Sequence, residues 1–130
     1  DGFILVDLFP SMAERVEKYI REERKPISII NYPHAWSNCH AVVTDNISNS
    51  QRIVEHCIER GHQHIAYLYP RSAMGALSEV HPSNKMKQQG YQKALQNNKI
   101  SYDNSIVLEL DKKNAQQKLD PILEKGVSAI

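Results

Sequence analysis

The sequence predicts an α/β fold in which helices cover a parallel sheet. Two observations carry this expectation. Short apolar runs alternate with segments of helical periodicity along the whole chain, the order expected of repeated strand–helix–strand units. The helical segments are also punctuated, opening on proline or small polar residues and closing near Pro26, Gly61, Asn97-Asn98 and Gly126. At 130 residues the chain can bury one domain-sized core.

Taken in order, Asp1 to Val6 reads as a strand apolar enough to be buried on both faces. Ser11 and Glu14 have capping-box spacing after Pro10, and Met12, Val16, Tyr19 and Ile20 fall on one helical face ending near Arg24. Pro26 stops that helix and opens the strand Ile27-Ser28-Ile29-Ile30. Asn31 to His40 reads as an irregular loop holding the only tryptophan, Trp36, whose expected role is packing over a nearby core. A short strand at Val42 leads into a helix with a Ser48/Gln51 capping box and an apolar stripe of Ile53, Val54, Cys57 and Ile58. Gly61 ends it, and Ile65 to Tyr69 form the next strand.

A long polar loop, Pro70 to Pro82, precedes a helix capped by Ser83 that runs through Met86, Gly90, Tyr91, Ala94 and Leu95. Ser105 to Leu110 is a strand, and Ala115, Leu119, Ile122 and Leu123 mark a last helix, kinked at Pro121. Val127 to Ile130 begins another strand.

Composition excludes several classes. Sixteen basic against fifteen acidic residues leave a net charge of +1, with no dense basic block for phosphate contacts. No apolar run approaches the roughly 20 residues of a membrane span. Two cysteines do not make a disulfide framework, and Cys57 on an apolar stripe reads as a buried free thiol in a reducing compartment. No phosphate loop, dinucleotide glycine motif or nucleophile elbow is present, and the carboxylates are scattered, so no enzyme and no cofactor is expected. His56 and Cys57 are sequence neighbours that splay around a helix, and no metal-ligand frame includes them, so no metal is expected.

Three pieces stand in order: Asp45-Asn46, then Gly61-His62-Gln63-His64-Ile65-Ala66, then Gly90-Tyr91-Gln92-Lys93-Ala94-Leu95. With the run Asp1 to Val6 upstream, this order resembles the ligand-sensing domain of the lactose-repressor/galactose-repressor (LacI/GalR) family of transcriptional regulators across nearly the whole chain. The resemblance implies a two-lobe periplasmic-binding-protein-like fold of type I with parallel sheets, crossing between lobes near Asp45. Residues 1–45 would be the later part of the N-terminal lobe and 46–130 the earlier part of the C-terminal lobe. The family's N-terminal DNA-binding head and its C-terminal strands would lie outside this sequence.

In open α/β sheets ligands sit beyond the carboxyl ends of the strands, which singles out three places. Asn31 and Tyr32 follow the strand Ile27 to Ile30. Sugar-binding relatives often carry Asp-Arg there; here an amide and a phenol can hydrogen-bond without charge, or form a plain loop. Asp45 and Asn46 stand at the implied crossover, where helix capping alone would also account for them. Lys87 stands three residues before Gly90, where the family has an arginine that forks onto vicinal oxygens. A lysine is a point charge and cannot reproduce that fork; it is otherwise a solvent lysine like Lys85 and Lys93.

The resemblance implies an effector-sensing domain of a bacterial DNA-binding regulator of repressor type. A small molecule, sugar-like or anionic, would bind between the lobes and shift their closure. The whole protein would be a cytoplasmic homodimer reading DNA through a region outside this chain, without membrane contact. Two other classes use the same fold: a solute-binding protein of a sugar transport system, and a sensor module of a signalling kinase or cyclase.

Overall fold

A computed structural model describes residues 2–23, 25–33, 39–70, 81–111 and 113–130. Trp36 and most of the loop expected at 70–82 lie outside the described residues. The elements run β1 (Phe3–Val6), α1 (Pro10–Glu23), β2 (Ile27–Ile30), β3 (Cys39–Val42), α2 (Asn46–Glu59), β4 (Tyr67–Pro70), α3 (Pro82–Asn97), β5 (Val107–Leu110) and α4 (Ala115–Glu124), with a 3-10 turn at Asn104–Ile106. Among the described residues every strand pairing is parallel, in keeping with the alternation of elements. One sheet has the order β1-β2-β3, and β4 pairs with β5 in a second. A parallel bridge from Ile65 to Ala129 begins a further pairing, with Ala66 N–H donating to Ala129 O at 2.9 Å.

The first sheet pins the faces of its strands. Ile27 and Ile29 point to α1 and join Leu8, Ile20 and Tyr32 in one core, with Ala13 and Val16 packed against them. The helix therefore buries Ala13, Val16 and Ile20, while Met12 and Tyr19 flank the stripe and stay exposed. The expectation of a first strand buried on both faces is corrected. Ile4, Val6, Ile30 and Val42 share the opposite face and are 40–71% exposed, because among the described residues only α1 covers this sheet.

Around the second sheet, Val54 of α2, Ile65, and Tyr91, Ala94 and Leu95 of α3 form one core; Ala66, Ile106 and Ile122 form another. Ile53 is 66% exposed, so the buried stripe of α2 is Val54, Cys57 and Ile58. The two signature motifs prove to be folding devices. Gly61 closes α2 with φ +92°, and His62 N–H returns to Cys57 O at 3.1 Å. Gly90 lets α3 touch the backbone of α2, and the Tyr91 hydroxyl donates to Ile65 O at 2.8 Å, tying α3 to the sheet.

Helix starts differ from the capping boxes read in the sequence. Pro10 is itself the first residue of α1, where its missing N–H costs nothing. Asp45 rather than Ser48 caps α2, accepting from Ser48 N–H at 3.0 Å, and Gln51 turns instead to Glu55 at 2.7 Å. His81 rather than Ser83 caps α3, with Pro82 opening the helix. In α2 and α3 the side-chain acceptor sits before the residue that the sequence pattern marked. Residues Asn104 to Ile106 form the 3-10 turn, so β5 begins at Val107 instead of Ser105. Cys39 is the first residue of β3 rather than part of a loop, and both cysteines are free and half-buried. Among the described residues no helix is long and apolar enough to cross a membrane.

Candidate functional site

Strand ends create the site. Beyond β1 and β2 the chain turns sharply at Asp7 (φ +52°) and Asn31 (φ +63°), left-handed positions that Asp and Asn tolerate better than most side chains. The ladder holds both: Asp7 N–H donates to Ile30 O at 3.1 Å, and Asn31 N–H donates to Val42 O at 2.8 Å. Their side chains then meet, the Asn31 amide donating to Asp7 Oδ1 at 2.6 Å. The result is a paired carboxylate and amide at adjacent carboxyl ends of the first sheet. That chemistry suits hydroxyl groups, since the carboxylate accepts and the amide oxygen remains available. Asp7 was not singled out in the sequence; a polar residue directly following an apolar strand was the available signal.

Tyr32 follows Asn31, but its ring is only 6% exposed and belongs to the core of the first sheet. Its edge meets His81, with ring centroids 6.5 Å apart, and Phe9 meets the same imidazole at 5.8 Å. His81 thus links the N-terminus of α3 to the loops beyond β1 and β2. It also caps α3, its Nδ1 accepting from Ser83 N–H at 3.2 Å. No feature of the sequence pattern drew attention to this histidine.

Asp45 is exposed, and its carboxyl is held below the ordinary carboxylate range. The cause is first the hydrogen bond from Ser48 N–H, then that from the Ser48 hydroxyl, with the charge of Lys93 adding to them. Asn46 is 9% exposed and donates to Thr44 O at 3.2 Å. Asn46 and Lys87 line one groove of about 270 Å³ with Asn49, Ile53, Tyr67 and Ile130, among others. The expected residues therefore fall into two groups: Asn31 and Tyr32 join Asp7 and His81 at the strand ends of the first sheet, while Asn46 and the exposed Lys87 share the groove between α2 and α3. Asp45 stands at the start of α2, beside Asn46.

No family model and no curated protein sequence matches the chain. Solved structures do. The transcription regulator CcpA of Lactococcus lactis aligns over 99% of this chain at 21% identity and a TM-score of 0.72. The transcriptional regulator CelR, in complex with cellobiose, aligns over 97% at 22% identity and a TM-score of 0.71. A sugar-binding LacI-family transcriptional regulator from Escherichia coli, complexed with phosphate, aligns over 95% at 22% identity and a TM-score of 0.68. The chain spans 45%, 37% and 43% of the length of those three chains, all of them transcription regulators rather than enzymes. Parallel sheets, element order and nearly complete coverage agree: the chain has the α/β fold of part of the periplasmic-binding-protein-like domain of LacI-family regulators.

Proposed function

We propose that this chain is part of the effector-sensing domain of a DNA-binding transcriptional regulator of repressor type. In this reading residues 1–45 belong to an N-terminal lobe and 46–130 to a C-terminal lobe. A small molecule, sugar-like or anionic, binds between them and favours one state of closure. The whole protein acts in the cytoplasm as a homodimer and contacts DNA through a region outside this sequence.

The observation that supports the reading most directly is the Asp7–Asn31 pair, set at adjacent strand ends beside the point where His81 of α3 meets Phe9 and Tyr32. Ligand sites in open parallel sheets form at such ends. Asn31 supplies an amide there, and Asp45, Asn46 and Lys87 stand on the elements that follow the crossover. The Lys87 ammonium reaches acidic or oxygen-rich groups as a point charge, which favours a single anionic or hydroxyl contact over a bidentate one.

Calorimetric titration with cellobiose and with inorganic phosphate, each alone, tests this in the full chain and in Lys87→Ala, Lys87→Arg and Lys85→Ala. Removing a charged hydrogen bond should cost about 1.5–3 kcal/mol, roughly tenfold to a hundredfold in affinity. Lys87→Ala should show that loss, Lys87→Arg should retain part of the binding, and Lys85→Ala should match the wild type. Equal affinity in Lys87→Ala and Lys85→Ala would reduce Lys87 to a surface charge and remove it from the site.

A further inference from the structure

We propose that the Nε2–H of His81 is the donor kept for an acceptor oxygen of the effector, which makes His81 a specificity-determining residue. The inference rests on the effector-sensing reading above and goes beyond it by naming the group that the ligand must present.

Hydrogen bonding fixes the tautomer. Ser83 N–H donates to His81 Nδ1 at 3.2 Å, and an amide N–H has nothing to accept with, so Nδ1 carries no proton. The Ser83 hydroxyl, 2.7 Å from the same nitrogen, is then a second donor to it. A neutral imidazole has one ring proton, which must therefore sit on Nε2. That nitrogen is buried and, among the described residues, has no hydrogen-bond partner.

Buried polar groups are nearly always paired in folded proteins, and an exception calls for a partner such as a bound water, an ion or a ligand oxygen. The ring cannot easily turn away to find one. Its Nδ1 is engaged in capping α3, and the rings of Phe9 and Tyr32 stand at 85° and 76° to it. The unpaired donor is thus held where α3 meets the strand ends that carry Asp7 and Asn31. Separation of these elements would open the imidazole to a ligand, and a ligand oxygen on Nε2–H would favour a different closure from the ligand-free one. Hydroxyl, ether, carboxylate and phosphate oxygens all qualify; a ligand offering only donors does not.

The test has a ligand-free arm and a binding arm, both on the full chain. Imidazole 15N–1H correlation spectra of the wild type should show His81 as the Nε2–H tautomer, and an Nδ1–H tautomer would overturn the proposal without any ligand. Titration with cellobiose and with inorganic phosphate, each alone, is then compared between wild type, His81→Asn and Lys85→Ala. Asparagine is a favoured capping residue, so α3 keeps its start while the Nε2–H is lost. The expected result is a shift of the Nε2–H resonance on binding, an affinity about tenfold or more weaker in His81→Asn, and no change in Lys85→Ala. Binding that is equally tight in His81→Asn would overturn the role of His81 and leave the effector reading standing. Failure of both probes to bind the wild type would overturn both together.

Discussion

The α-carbon of Gly90 lies against the carbonyl of Ile47, so close that a β-carbon on Gly90 would stand 2.2 Å from that oxygen. The same β-carbon would meet Gln51 N and Ser50 Cβ at 2.9 Å. Two of the three obstructing atoms are helix backbone and cannot swing aside. Gly90→Ala must therefore push α3 off α2 and loosen Tyr91, Ala94 and Leu95 in the core they share. We expect a loss of about 1–3 kcal/mol, read as a lower urea midpoint. Gly61, by contrast, has φ +92° and nothing within 4 Å of where its β-carbon would be. Gly61→Ala should cost only its backbone strain, about 1–2 kcal/mol. If Gly90→Ala is as stable as the wild type, the close approach of the two helices is wrong.

Tyr91 provides an alkaline signature. Burial, followed by the nearby Tyr102 and Asp103, pushes its phenol up from the usual 10 to about 12. The folded state therefore holds this proton more tightly than the unfolded state does. The sign follows: the contribution is complete below pH 10 and is lost as pH rises from 10 through about 12. Tyr91→Phe should be less stable at pH 8, by about 1–3 kcal/mol, because Ile65 O loses its buried donor. The gap between the two proteins should then narrow above pH 10, where the phenol ionises in the unfolded chain while folded Tyr91 keeps its proton up to about pH 12. Urea midpoints across pH 8 to about 11.5 check this, and a constant gap across that range would show that Tyr91 is not protected.

The α/β class was legible because short apolar runs and period-3.6 apolar stripes alternate along the chain. Gly61, Gly90 and Tyr91 were legible as motif residues, although a motif does not say that their work is closing a helix and packing one. The helix starts were misread for a physical reason: Ser48 and Ser83 have the right spacing to cap, but Asp45 and His81 precede them and take the amide first. The exposed face of Ile4, Val6, Ile30 and Val42 was illegible because burial depends on what covers a sheet rather than on hydropathy. The contact of His81 with Phe9 and Tyr32 joins residues far apart in sequence, and no local pattern encodes it.

The cap of α2 separates the two readings of its start. Asp45 accepts from Ser48 N–H, and its carboxyl is held below the ordinary range chiefly by that bond. A carboxyl lowered on folding contributes stability that is present above its unfolded value and lost as pH falls through the folded one. Asp45→Ala should lower the melting temperature at pH 7 more than Ser48→Ala does, and the Asp45→Ala deficit should shrink on acidification below about pH 4. Asp45→Asn should keep most of the cap while losing the acid dependence. A larger effect from Ser48→Ala than from Asp45→Ala would restore the capping box centred on Ser48.

The Asp7–Asn31 pair allows scaffold and site to be told apart at a single position. Asn31 has φ +63°, which glycine adopts freely and a β-branched residue resists. Asn31→Gly should fold as well as the wild type, with its backbone N–H still donating to Val42 O, but it lacks the amide that meets Asp7 Oδ1. Asn31→Val should destabilise the chain through backbone strain, by about 1–2 kcal/mol. Where the wild type binds cellobiose or inorganic phosphate in titration, that affinity should fall about tenfold or more in Asn31→Gly while its urea midpoint stays put. Loss of an interaction made by the side chain alone is the one change this variant introduces at the strand end. Binding in Asn31→Gly that matches the wild type would place the effector away from these strand ends and leave the pair as a turn-stabilising contact only.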